Sequence, residues 1–121
     1  MSALVLLGPA GSDLPAGIDL TEGDEYVLGR SRKGCAVVLN LAPPAPPSVI
    51  SRKHARVYSR ASRWYIEDLG SLNGLFVNDE QLAPSEPKEM RQGDAIRFGE
   101  QGRTLDPRSG ADLGCIRYRF V

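Results

Sequence analysis

The chain is short of the residues that would make it a metalloprotein, a disulfide scaffold or a membrane protein. Its two cysteines, Cys35 and Cys115, stand far apart and match no metal-ligand spacing. That excludes a disulfide framework and makes a reducing, intracellular compartment the expectation. A single histidine, His54, leaves no imidazole cluster for a metal. No apolar run approaches the ~20 residues that span a bilayer. The run at residues 3–7 is short and has no basic residues before it, which fits a strand better than a signal peptide. Nowhere do apolar residues recur at i, i+3 and i+4 over more than a few positions, so no substantial helix is expected.

Acid is missing from one long segment. Between Arg30 and Ile66 there is no Asp or Glu, although the chain has 15 of them. The same span holds Arg30, Arg32, Lys33, Arg52, Lys53, Arg56, Arg60 and Arg63, eight of the 15 basic residues. The formal net charge is zero. A neutral chain with a one-signed segment points to a local anion site rather than a nucleic-acid surface. The plain alternative is a solvated basic face.

What is present is turn chemistry and alternation. With 13 Gly, nine Pro and 41% hydrophobic residues in 121 positions, the chain reads as one soluble all-β domain with its own core. Strands are expected at 3–7, 18–20, 25–29, 36–41, 95–99 and 115–121, with three further strand-like runs between Ser51 and Asn78, the first two marked by Ala55 and Val57 and by Trp64 and Ile66, and with residues 79–81 as a turn. Ile116, Tyr118 and Phe120 should face inward and Arg117 and Arg119 outward. Ten or eleven short strands without a helix make a β-sandwich of two antiparallel sheets. Within it, the three runs after Ser51 are expected to fold as a meander, which would bring the loops at 51–54 and 71–74 to one end. Residues 41–48 carry four prolines and read as a stiff surface loop, with a polyproline ligand for a partner as the alternative. Residues 100–114 read as a long polar loop. Trp64 is expected in the core and Asp68 as a turn cap.

Phosphate is a compact dianion with several acceptor oxygens. It calls for a guanidinium, a hydroxyl or a backbone N–H, and for few carboxylates nearby. Arg30 offers paired donors and Ser51 a hydroxyl, both at strand ends within the acid-free span. Asn73 has the donors and acceptor to hold the backbone of a bound peptide. Ser51, His54 and Asp68 are the residue types of a hydrolytic triad, but nothing resembles a nucleophile elbow. No enzyme, cofactor or metal site is therefore expected.

Gly29-Arg30, Ser51-x-x-His54, Asn73-Gly74-x-x-Val77-Asn78 and Gly93-Asp94-x-Ile96-x-Phe98-Gly99, in that order, resemble the forkhead-associated (FHA) domain. The resemblance spans residues 4–99, with a final strand at 115–121, so 1–121 is expected as a single domain. It implies an intracellular module, nuclear or cytoplasmic, that reads phosphothreonine in partner proteins and belongs to a larger protein, with no direct nucleic-acid or membrane contact. It implies Arg30 and Ser51 as phosphate ligands, with Arg52 or Lys33 adding a second cation. Asn73 would hold the peptide, with Leu72, Val49 and Arg32 beside it. Gly29, His54, Gly74 and Asn78 would support the site. Leu72 departs from the family pattern, where a small or hydroxylated residue is common, and implies apolar contact in place of a hydrogen bond to phosphate. The alternative is a phosphate-independent scaffold or dimerisation module of the same fold.

Overall fold

Alternation of buried and solvent-facing side chains governs the architecture. In the computed structural model, which describes residues 2–8, 16–29, 37–38, 53–72, 74–99 and 116–121, eleven strands form two sheets. They are β1 (Ser2–Gly8), β2 (Gly17–Leu20), β3 (Glu25–Gly29), β4 (Val37–Val38), β5 (Ala55–Arg60), β6 (Arg63–Asp68), β7 (Leu75–Val77), β8 (Glu80–Gln81), β9 (Lys88–Met90), β10 (Ala95–Phe98) and β11 (Ile116–Phe120). One sheet runs β2-β1-β11-β10-β7-β8 and the other β4-β3-β5-β6-β9. No helix occurs among the described residues. The two-sheet sandwich is the expected one. All neighbouring strands are antiparallel except β3 and β4, which run parallel with Leu28 opposite Val37. The rest of the strand expected at 36–41, the proline segment, residues 100–114 and both cysteines lie outside the described residues.

Each sheet buries one face against the other, because two apolar faces leave water only by covering each other. Leu28, Ala55, Val57 and Ile66 from the five-stranded sheet meet Leu4, Leu75, Ile96, Phe98, Ile116 and Tyr118 from the six-stranded one, all fully buried. Trp64 is buried with them. Burying each such side chain contributes about 1.5–3 kcal/mol. Burial also pushes the Tyr118 phenol up to about 12, since the interior disfavours the phenolate.

The expected meander does not form. β5 and β6 pair as a hairpin, but β6 continues to β9 while β7 pairs with β10 and β8 in the opposite sheet. Between Asp68 and Leu75 the chain crosses from one sheet to the other. Alternation is blind to this difference, because a strand with Leu75 and Val77 inward satisfies the core equally from either side. The turn expected at 79–81 is likewise shifted. Asn78 and Asp79 form the turn, at φ of 51° and 66°, and Glu80–Gln81 is a strand returning along β7. Two consecutive left-handed residues are the geometry of a type I′ hairpin, which Asn and Asp tolerate.

The β5–β6 hairpin has the same turn with less suitable residues, Ala61 at φ 53° and Ser62 at φ 64°. Neither gains the local hydrogen bonding that makes Asn or Asp cheap there, and each left-handed residue costs roughly 1–2 kcal/mol. Ala61→Asn/Ser62→Gly should therefore raise the thermal midpoint by several degrees, about 1–2 kcal/mol in all. A melting temperature unchanged or lowered in that variant would show the turn to be unstrained.

Candidate functional site

The candidate site is framed by strand ends that register brings to one end of the sandwich. In the five-stranded sheet, Leu28 pairs with Ala55 and Ala55 with Asp68. The end of β3, the start of β5 and the end of β6 are thus side by side. In the other sheet, Leu75 pairs with Phe98 and Phe98 with Ile116, so β7 begins at the same end. The crossing from β6 to β7 joins the two sheets there. It is held by its own side chains: the Ser71 N–H donates to Asp68 Oδ1 at 2.9 Å, and the Gly74 N–H to Ser71 Oγ at 3.1 Å. Asp68 is 2% exposed, and its carbonyl accepts the Ser85 N–H at 2.9 Å.

His54 ties these pieces together. Its backbone N–H donates to Leu28 O at 2.8 Å, and its carbonyl accepts the Leu69 N–H at 3.0 Å. Its ring Nε2 lies 2.6 Å from Gly74 O. The same carbonyl accepts the Gly99 N–H at 3.0 Å. The ring stands edge-on to Phe98, centroids 5.3 Å apart, and Phe98 stands edge-on to Tyr118 at 6.4 Å. A carbonyl can only accept, so Nε2 carries the proton and donates. The imidazole is fully buried. Burial lowers its pKa from the ordinary 6.5, outweighing the bond to Gly74 O and the charge of Asp68, which pull the other way. A neutral, fully buried ring with Nε2 committed to a carbonyl leading into the opposite sheet is a strut between the layers.

Gly74 is confined by the same geometry. Its φ is +90°, and a Cβ there would meet Phe76 Cε1 at 3.0 Å and Gln81 Nε2 at 3.1 Å. Only glycine has neither the left-handed penalty nor the contact. The other site candidates divide as follows. Gly29 is buried at the end of β3, and Leu72 is 87% exposed on the crossing. Arg30, Arg32, Lys33, Val49, Ser51, Arg52 and Asn73 lie outside the described residues; their described chain neighbours are Gly29, Lys53, Leu72 and Gly74. Asn78, expected to support the site, stands instead at the far end of β7. There its Nδ2 donates to Asp94 Oδ1 at 2.9 Å and its Oδ1 accepts the Ala95 N–H at 3.0 Å, pinning the β7–β8 turn to β10. The supports that sequence reading passed over are Ser71, Phe98 and Gly99. Ser71-x-x-Gly74 after a buried Asp was the available signal for the first.

A family model described as the FHA domain matches residues 26–99. An FHA domain-containing protein of Arabidopsis thaliana is 34% identical over 83 residues, 69% of this chain and 20% of that protein. The E3 ubiquitin-protein ligase RNF8 of Bos taurus is 36% identical over 81 residues, 66% of this chain and 16% of that protein. The chain thus spans about a fifth of the length of such relatives. Among solved structures, the FHA domain of an Arabidopsis thaliana hypothetical protein superposes with a TM-score of 0.72 at 27% identity, covering 98% of this chain and 82% of that one. The N-terminal FHA domain of S. cerevisiae Rad53p, solved with a phosphothreonine peptide, gives 0.71 at 17% identity, covering 99% and 91%.

The His54 strut makes stability depend on pH in a defined direction. With the folded pKa below the unfolded 6.5, the unfolded chain binds more protons between the two values. The stabilisation is complete above pH 6.5 and declines as pH falls below it. His54→Gln should cost about 1–3 kcal/mol at neutral pH and flatten the profile just below pH 6.5. His54 is the only histidine, so denaturant melts across that window isolate it. An unchanged profile in the variant would remove the buried neutral imidazole as its cause.

Proposed function

The chain belongs to the forkhead-associated family, and from that premise we propose that it binds partner proteins through phosphothreonine at the loops framed by His54. The observation that carries this reading is the union of three chain segments at one end of the sandwich. His54 bonds to Leu28 of β3, to Leu69 after β6 and to Gly74 before β7. Immediately beyond these anchored residues in sequence come Arg30, Ser51 with Arg52, and Asn73. FHA domains of like fold have been solved with phosphothreonine peptides, among them those of MEK1 and Rad53p. The absence of Asp and Glu between Arg30 and Ile66 supports the reading, since a nearby carboxylate would repel the phosphate.

Arg30 and Ser51 take the phosphate in this proposal, Arg30 through paired N–H donors and Ser51 through its hydroxyl. Arg52 and Lys33 supply further positive charge. Asn73 fixes the peptide backbone beside the phosphorylated residue. Arg32, Val49 and Leu72 lie along the peptide's path, and the exposure of Leu72 suits an apolar ligand residue. Gly29 and Gly74 let the backbone approach closely at the two flanks. In this proposal the module works by binding, and the buried His54 ring serves it by holding the frame of the loops through Gly74 O. The whole protein's activity lies in whatever accompanies such a module, as in relatives of which it is about a fifth.

Two or three charge-assisted hydrogen bonds at about 1.5–3 kcal/mol each, with little buried area, give a micromolar complex near −8 kcal/mol. Calorimetry on peptides differing only in threonine phosphorylation should show binding of the phosphorylated form alone. Arg30→Ala should abolish it while leaving the melting curve in place; equal binding of both forms would refute the reading. Three positions after the phosphothreonine, Leu should bind about tenfold tighter than Asp, the worth of burying one apolar side chain. Tighter binding of Asp would assign selection to Arg32 or Lys33 instead.

A further inference from the structure

The outward face of the six-stranded sheet has a use that the loop site does not account for. Along β1, Val5 and Leu7 point outward and are 42% and 39% exposed. On the neighbouring β11, Arg117 and Arg119 are exposed, and neither side chain forms an ion pair or hydrogen bond among the described residues. Val121 follows them on the same face at 39% exposure. Five large hydrophobics are exposed among the described residues; Val5, Leu7 and Val121 lie on this face, and Leu69 and Leu72 are on the β6–β7 crossing.

The charge on this face is one-signed at its centre. Arg119 pairs with Val5 on one side and Ala95 on the other. Arg117 stands directly opposite Arg97, a like-charge pair that disfavours the sheet. Arg97 is neutralised within the fold: its guanidinium covers the Phe76 ring at 4.2 Å and bonds to Asp79 Oδ1 at 3.0 Å. Arg117 and Arg119 have no such compensation among the described residues. The other sheet shows the contrast, since there Arg56 lies between Glu25 and Glu67, and Glu89 between Arg63 and Arg91.

We infer that this face docks an acidic amphipathic helix of a partner protein, independently of phosphate. The match is geometric as well as electrostatic. Neighbouring columns of side chains, apolar on β1 and cationic on β11, are ~4.8 Å apart, with alternate residues ~6.7 Å apart along a strand; an irregularity between Leu6 and Gly8 sets Gly8 opposite Arg117 and leaves Leu7 beside it. A helix lying along them offers residues four apart at ~6 Å, with neighbouring stripes ~5–6 Å away. Carboxylates at i and i+4 meet Arg117 and Arg119, and leucines at i+3 and i+7 meet Leu7 and Val5. Nucleic acid fits less well: the one aromatic ring on this face, Phe76, is capped by Arg97, and Asp19 and Asp79 lie at the margins.

The test is a titration of the isotope-labelled protein followed by amide NMR, with a designed 15-residue helical peptide carrying glutamates and leucines at those spacings. Shifts should be confined to β1, β10 and β11, and Arg117→Glu/Arg119→Glu should weaken binding at least tenfold. Both positions are exposed, and an unchanged melting curve and unchanged phosphopeptide binding would show the variant intact. No shifts, equal shifts with lysine in place of glutamate, or equal binding by the double variant would overturn the proposal. So would binding of an oligothymidylate at this face in place of the peptide.

Discussion

At the binding end the two sheets are clasped by a hydrogen bond from a buried imidazole to the carbonyl of Gly74. His54 belongs to the five-stranded sheet and Gly74 leads into the six-stranded one, so this contact is a clasp between layers. The requirements are narrow. The side chain must reach across the sandwich, donate from its tip, and present an apolar flank to Phe98. It must also be neutral, because a charge there would need a counter-ion in a place that excludes water. Imidazole satisfies all four, and burial keeps it neutral by lowering its pKa. Lysine or arginine would bring the charge, and serine would not reach.

Much of the fold was legible because alternation reports on burial directly. Ile116, Tyr118 and Phe120 face inward while Arg117 and Arg119 face out, as their period of two requires. What alternation does not report is which sheet a strand joins. β7 satisfied its pattern and went to the opposite layer, for reasons that lie in the 68–74 crossing: a buried Asp68, the Ser71 hydroxyl and a glycine at positive φ. The hairpin after β7 was readable in principle from Asn78-Asp79, the pair that tolerates positive φ, rather than from residues 79–81. The parallel pairing of β3 with β4 left no trace, since two valines fit either direction.

The candidate site rests on a different kind of reading. Arg30, Ser51 and Asn73 gained meaning from order and spacing, as a resemblance, and from the absence of acid around them. His54 illustrates the difference between type and place. Beside Ser51 and Asp68 it has the composition of a catalytic triad; only geometry, with Nε2 at a carbonyl and Asp68 capping Ser71, makes it a strut. Asn78 taught the reverse, since a motif placed it with the site and the strand carried it to the far end.

The double use of Gly74 O, by the imidazole and by the Gly99 amide, couples recognition to the integrity of the whole sandwich. Besides its own side-chain bonds, the frame of the binding loops is anchored in the core: the ring that holds it packs on Phe98, and Phe98 on Tyr118. Genetic damage should therefore be hard to localise by phenotype. An allele that hollows the core at Ile96 or Tyr118, well away from any ligand, would be scored as a loss-of-binding allele. Suppressors of it would be sought in vain around the loops and found wherever a substitution restores cohesion between the two sheets.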